Sequence, residues 1–138
     1  MKTKKILIVS AGYYPEITMT METDVIDFLK KWKGFRVEDP RNALENVPGI
    51  FEIPVIIAKN IKKYDGFIAL GCVIKGETPH FDFISQATID AIMKLSIDYK
   101  KPIGNGIITS LNKLQASYRS KKKGSEAANA VIKVLDNF

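Results

Sequence analysis

The sequence predicts an α/β fold: a three-layer α/β/α sandwich around a four-stranded, parallel, flavodoxin-like sheet. Short apolar runs rich in β-branched residues, at positions 6–9, 67–74 and 103–109, have the pattern of strands buried on both faces. Segments with apolar residues at helical spacing separate them, and strands that alternate with helices at this interval form a parallel sheet covered on both sides. At 138 residues, 46% of them apolar and 26% charged, the chain suits one domain, 1–138, with a single core.

Ile6-Leu-Ile-Val9 is the first strand, and residues 10–18 form its loop. Met21, Val25, Phe28, Leu29 and Trp32 then mark one face of an amphipathic helix, with Gly34 placed to close it as a C-cap. Residues 35–38 are a weaker strand candidate, the polar stretch 40–46 is loop, and Val47-Pro-Gly49 is a turn. Ile50, Pro54, Ile57 and Ile61 follow at helical spacing, with Pro54 in or near the first turn and Lys62 and Lys63 suited to the C-terminal dipole. A buried strand covers 67–74, and the longest helix covers 80–99 with Phe81, Ile84, Ala91, Ile92 and Leu95 inward. Residues 103–109 form the last strand and 111–120 a short helix. Gly124 opens a final helix carrying Ala127, Ala128, Val131, Ile132 and Leu135.

One cysteine, Cys72, and one histidine, His80, exclude an internal disulfide and the cysteine or multi-histidine metal sites. The basic start is followed by an apolar run too short for a secretory core, and no stretch approaches the roughly 18 apolar residues of a bilayer span. A soluble, cytoplasmic protein is therefore expected. The formal net charge of +6 admits anionic partners, and its densest cluster is Arg119-Ser-Lys-Lys-Lys123.

In open parallel sheets, ligands bind beyond the carboxyl ends of the strands. Gly76-Glu-Thr-Pro-His80 leads there into a helix N-terminus, where free amides and the helix dipole favour a phosphate. His80, with an ordinary pKa of about 6.5, is suited to pass protons both ways near neutrality. Arg119 offers a bidentate phosphate partner, whereas Lys121 and Lys122 read as a solvated corner. Tyr13-Tyr14 either present a stacking face or cap the sheet edge, and both readings stand at this point. The first loop lacks a Ser/Thr- and Gly-rich phosphate cradle. No dinucleotide fingerprint or Walker sequence is present, which disfavours a nucleotide cofactor, and the scattered carboxylates give no support to glycosidase-type chemistry.

Three stretches carry a resemblance: Val47-Pro-Gly-Ile-Phe-Glu-Ile-Pro54, then residues 64–82 through Gly76-Glu-Thr-Pro-His80, then Lys101-Pro-Ile-Gly-Asn-Gly-Ile-Ile-Thr109. In order and spacing they resemble the 6,7-dimethyl-8-ribityllumazine synthase family over nearly the whole chain. The resemblance implies condensation of 5-amino-6-(D-ribitylamino)uracil with 3,4-dihydroxy-2-butanone 4-phosphate, releasing phosphate and water, without metal or organic cofactor. By the same resemblance His80 shuttles protons. Glu77 and Thr78 offer backbone amides to the phosphate together with Arg119, aligned through Leu114-Gln-Ala116. Tyr13 stacks on the pyrimidine, Ile50, Phe51 and Glu52 hold the ribityl chain and ring edge, and Cys72, Val73 and Ile74 line the pocket. Lys123 stands for the family's lysine, and Asn105 replaces an aromatic residue supplied by a neighbouring subunit. Tyr13 replaces the usual phenylalanine or tryptophan, Tyr14 replaces a common asparagine, and residues 119–124 form a shortened segment.

The family's homo-oligomers are pentamers with sites between subunits, some built into shells of sixty subunits. Small-molecule substrates and a pentamer or such a shell are thus expected, with neither nucleic acid nor membrane as partner. A non-catalytic flavin- or lumazine-binding module on the same fold would use Tyr13 but leave His80, Thr78 and Arg119 idle. A nucleic-acid binder would use the positive charge, yet lacks interleaved aromatic residues.

Overall fold

Strands β1 (Ile6–Ala11), β2 (Leu44–Val47), β3 (Gly66–Ile74) and β4 (Ile103–Ser110) lie parallel in the order β2-β1-β3-β4. The computed structural model describes residues 3–137. Helices α1 (Pro15–Lys31) and α4 (Lys113–Asp136) cover one face, and α2 (Ile53–Lys59) and α3 (His80–Tyr99) the other. This is the three-layer sandwich on a four-stranded parallel sheet that the sequence predicts.

Strand alternation divides the core. Ile6 and Ile8 of β1, with Ile68, Leu70 and Cys72 of β3, point toward α1 and α4. Leu7, Val9, Ala11, Phe67 and Ala69 point toward α2 and α3. All are buried, which is why these strands appear in the sequence as unbroken apolar runs. Pairing in register from Phe67↔Ile103 to Ile74↔Ser110, and from Ile8↔Leu44 to Ala11↔Val47, brings the carboxyl ends of the strands to one side.

Several elements differ from expectation. The outer strand is β2, inside the stretch expected to be loop, whereas residues 35–38 contribute an isolated bridge from Val37 to Lys4. An edge strand pairs on one side, and β2 exposes Glu45 and Asn46, so it has no apolar run to reveal it. Helix α1 starts at Pro15, with proline suited to the first turn, and Trp32 caps it in place of Gly34, which lies against the Trp32 ring. Ile50 falls in a 3-10 turn, Ile50–Glu52, and α2 ends at Lys59, so Lys62 and Lys63 lie beyond its last turn. Helix α3 has the expected span. On it Ile92 and Thr88 are buried, and Phe81, Ile84, Ala91 and Leu95 are half-buried. It stops where Lys100 turns left-handed, at φ 54°.

The C-terminal segment is one helix in place of the two expected. Helix α4 runs unbroken through Arg119 and Gly124. Gly124 serves a close approach between helices: a Cβ there would stand 2.6 Å from the Met21 carbonyl oxygen and 3.0 Å from Val25 Cγ2. Across the same contact Asp24 Oδ2 accepts a hydrogen bond from the Ser125 N–H at 2.7 Å.

Alanine favours a helix over glycine by about 1 kcal/mol, but overpacking against a fixed backbone oxygen costs about 1–3 kcal/mol. Gly124→Ala is therefore expected to destabilise the protein by up to about 2 kcal/mol in urea titration with an unchanged m-value. A gain in stability would show that α1 and α4 separate at little cost.

Candidate functional site

Strand order decides where a crevice opens. After β1 the chain enters α1 on one face, and after the neighbouring β3 it enters α3 on the other, so the two connections diverge at the carboxyl ends of adjacent strands. Between them lies a cleft of about 250 Å³. Tyr13 and Tyr14 form one wall, Ile50 and Phe51 another, and Cys72, Val73 and Ile74 the floor. His80 and Ile84, one turn apart on α3, close it.

Each wall has a local cause. Gly12 N–H donates to the Val47 carbonyl at 2.9 Å and ties the first loop to the end of β2. The Tyr14 carbonyl caps α1, accepting from the N–H groups of Ile17 and Thr18, both at 3.1 Å. The Tyr13 and Tyr14 rings meet edge to face, with centroids 5.0 Å apart and planes at 73°, and Tyr13 is 72% exposed. Burial is the largest cause of a phenol pKa raised at Tyr14. Lys113 Nζ pairs with Glu16 Oε1 at 2.8 Å and links the starts of α4 and α1 beside this loop. On the second wall, Gly71 leaves room for Ile50, whose Cγ2 would lie 2.5 Å from a Cβ at that position. Glu52 Oε1 accepts the Gly49 N–H at 2.9 Å and closes the turn that presents Phe51.

Glu77 and Thr78 are exposed in the loop entering α3, and His80 stands exposed on the rim. The cap residue of α3 is Pro79, which offers no side-chain acceptor, and the His80 N–H meets Thr78 Oγ1 at a long 3.4 Å. The Asp82 and Phe83 N–H groups donate to the Pro79 carbonyl at 3.0 and 3.2 Å, so the anion-facing donors at this helix start are the weakly engaged His80 amide and that of Phe81. Cys72 is only 5% exposed, and burial pushes its thiol up to about 11, with the Glu16 charge adding to the effect. It is an apolar wall of the cleft and poorly suited to act as a nucleophile.

Other expected site residues stand apart from this cleft. Arg119 and Lys123 line a second hollow of about 570 Å³ between β4 and α4, together with Thr109 and Tyr118. Because α4 is continuous, they sit four residues apart on one side of it, and the inter-helix corner expected there is absent. Arg119 Nη1 donates to the Thr109 carbonyl at 2.9 Å, which holds the guanidinium at the strand end. Asn105 belongs to neither hollow: its Oδ1 accepts the Ile107 N–H at 3.1 Å, beside a niche of about 80 Å³ between α3 and β4.

One chain thus gathers Tyr13, Ile50, Phe51, Cys72, Val73, Ile74 and His80, with Glu52, Glu77 and Thr78 adjoining, and holds Asn105, Arg119 and Lys123 elsewhere. Tyr14, which the sequence pairs with Tyr13 as a stacking or edge-capping face, lines the cleft too, and Ile84 joins it without having been named for it; the four-residue step from His80 to Ile84 was the available signal.

A family model described as 6,7-dimethyl-8-ribityllumazine synthase matches residues 3–138. The chain belongs to that family. Relatives carrying the same name include one from Bartonella henselae, 40% identical over 139 residues that cover 95% of this chain and 86% of the relative. One from Agrobacterium fabrum is 37% identical over 149 residues, covering 99% and 95%, and one from Bdellovibrio bacteriovorus is 35% identical over 136 residues, covering 95% and 73%. Among the described residues, no group of three or more His, Cys, Asp or Glu is placed to hold a metal, and no helix is long and apolar enough to cross a membrane.

With a thiol pKa of about 11 against about 8.5 for a free cysteine, alkylation of Cys72 by iodoacetamide at pH 8.5 is expected to run roughly a hundredfold slower than that of a free thiol. The rate should rise tenfold per pH unit toward 11. A rate near that of free cysteine would mean that the floor of the cleft is a reactive, solvated thiolate.

Proposed function

We propose that the crevice beyond β1 and β3 of one copy and the Asn105, Arg119 and Lys123 surface of a second copy together form the substrate site. The reaction is that of the lumazine synthase family, a transferase step of riboflavin biosynthesis. It condenses 5-amino-6-(D-ribitylamino)uracil with 3,4-dihydroxy-2-butanone 4-phosphate and releases phosphate and water.

The division of the site carries this reading. Sites for small molecules run to about 300–1,000 Å³ and enclose most of the ligand, whereas the cleft of one chain holds about 250 Å³ and lacks the arginine. A second copy is favoured by the surface beside it. Strand β4 ends the sheet, and Phe83, Met93 and Ile97 of α3 and Leu114 and Tyr118 of α4 are all more than half exposed. An unpaired edge flanked by apolar side chains invites a partner. If each copy gives its α4 surface to the next, the contact is head to tail and closes into a ring, the pentamer of the family, working in the cytoplasm.

In this site Tyr13 stacks on the pyrimidine. Ile50 and Phe51 flank the ribityl chain, and Glu52, with Oε1 committed to Gly49, offers Oε2 to a hydroxyl. The phosphate sits on the amides of Glu77, Thr78 and the first turn of α3, and meets Arg119 and Lys123 of the neighbour. The amine attacks the ketone and water leaves as the imine forms. A carbon-bound proton and phosphate then leave by elimination to give an enol that becomes a ketone, and the second amine closes the ring on that carbonyl with loss of a second water. Each step moves a proton, and His80, at the meeting point of both substrates, gives and takes it. Alignment of the two substrates supplies much of the remaining acceleration.

His80→Ala is expected to lower kcat about a hundredfold and leave measurable turnover. Complete loss in a folded, assembled protein would show that alignment contributes little. Arg119→Ala is expected to raise the KM for the butanone phosphate at least about tenfold while sparing that for the pyrimidine; an unchanged value contradicts its role. Pyrimidine binding without turnover by the unaltered protein would favour the non-catalytic module.

A further inference from the structure

Tyr14 lines the cleft, yet the reaction outlined above leaves it without a task. We infer that Tyr14 is a positioning residue that holds the Tyr13 ring in the plane in which it stacks on the pyrimidine. The inference rests on the stacking role proposed for Tyr13.

Tyr13 is 72% exposed, so little in its own chain fixes its ring except the contact with Tyr14. A ring free to rotate loses that freedom when a ligand stacks on it, and the loss weakens binding. Tyr14 is held from several directions. Its carbonyl accepts from Ile17 N and Thr18 N, each at 3.1 Å, and the following Pro15 restricts its backbone, which lies at φ −117° and ψ 82°. Its ring is half-buried and packs against the core on the α1 and α4 side.

The two rings meet at 73° with centroids 5.0 Å apart. An edge-to-face pair sets the plane of Tyr13 while leaving at least one of its faces for a ligand. The effect lies in the six-membered ring of Tyr14 rather than its hydroxyl, so phenylalanine should serve as well.

The test is a titration of the protein with 5-amino-6-(D-ribitylamino)uracil, together with steady-state kinetics, for Tyr13→Ala, Tyr14→Ala, Tyr14→Phe and the double variant. Tyr14→Ala is expected to weaken pyrimidine binding about threefold to tenfold, with kcat and the KM for the butanone phosphate within about twofold of the unaltered protein. Tyr14→Phe should restore the affinity. In the Tyr13→Ala background, loss of the Tyr14 ring should add nothing, since no ring remains to be held. Tyr14→Leu, which keeps apolar bulk without an aromatic edge, gives the same reading if the alanine variant does not fold.

A Tyr14→Ala protein with unchanged affinity, beside a weakened Tyr13→Ala, overturns this inference alone. Additive losses in the double variant also overturn it, because Tyr14 would then act independently of Tyr13. Unchanged affinity in Tyr13→Ala overturns the stacking role and this inference together.

Discussion

Parallel strands cannot be joined by tight hairpins, and each return to the start of the next strand must cross one face of the sheet. With right-handed crossovers and the order β2-β1-β3-β4, the first connection crosses one face and the next two cross the other. The rest of the molecule follows from that constraint. It separates α1 from α3 at the ends of adjacent strands and so opens the crevice. It also buries both faces of β1 and β3, and it leaves β4 as an edge with α3 and α4 on its two sides. The core positions the site rather than merely stabilising it: Ile50 reaches β3 only because residue 71 has no side chain, and α4 reaches α1 only because residue 124 has none.

The same arrangement explains why the candidate site is divided. Arg119 and Lys123 ride on a continuous helix whose buried side, through Ser120 and Gly124, is committed to the sandwich. Their own side is fixed by that commitment and faces the edge at Thr109. Tyr13, Phe51 and His80 stand around the β1 and β3 crevice, on loops and a helix start that leave their side chains exposed. The site proposed between copies would join the two groups, and the exposed apolar residues along α3 and the start of α4 would be the surface on which copies meet.

Much of this was legible in the sequence, for physical reasons that also explain the rest. Central strands such as Phe67-Ile-Ala-Leu70 are apolar on both faces, so hydrophobic runs reveal them. The edge strand Leu44–Val47 satisfies only one partner and one face, and its polar residues conceal it. Gly34 reads as the end of a helix and Gly124 as the start of one, because glycine commonly stands at helix boundaries. In the fold Gly34 lies against a ring and Gly124 admits a neighbouring backbone, and sequence alone does not distinguish those uses. The cleft residues were recognisable through motif and loop position. Their division into two surfaces was not, since it depends on the direction in which an unbroken α4 points its cations.

The most direct test of a site shared between copies is complementation. His80→Ala and Arg119→Ala subunits would be assayed separately and after co-assembly in equal amounts. If Arg119 serves the neighbour's His80, about one quarter of the sites in random mixed rings pair an intact histidine with an intact arginine, and about one quarter of full activity should return. A mixture no more active than the average of the two separate variants would contradict the account and place both residues in the site of a single chain.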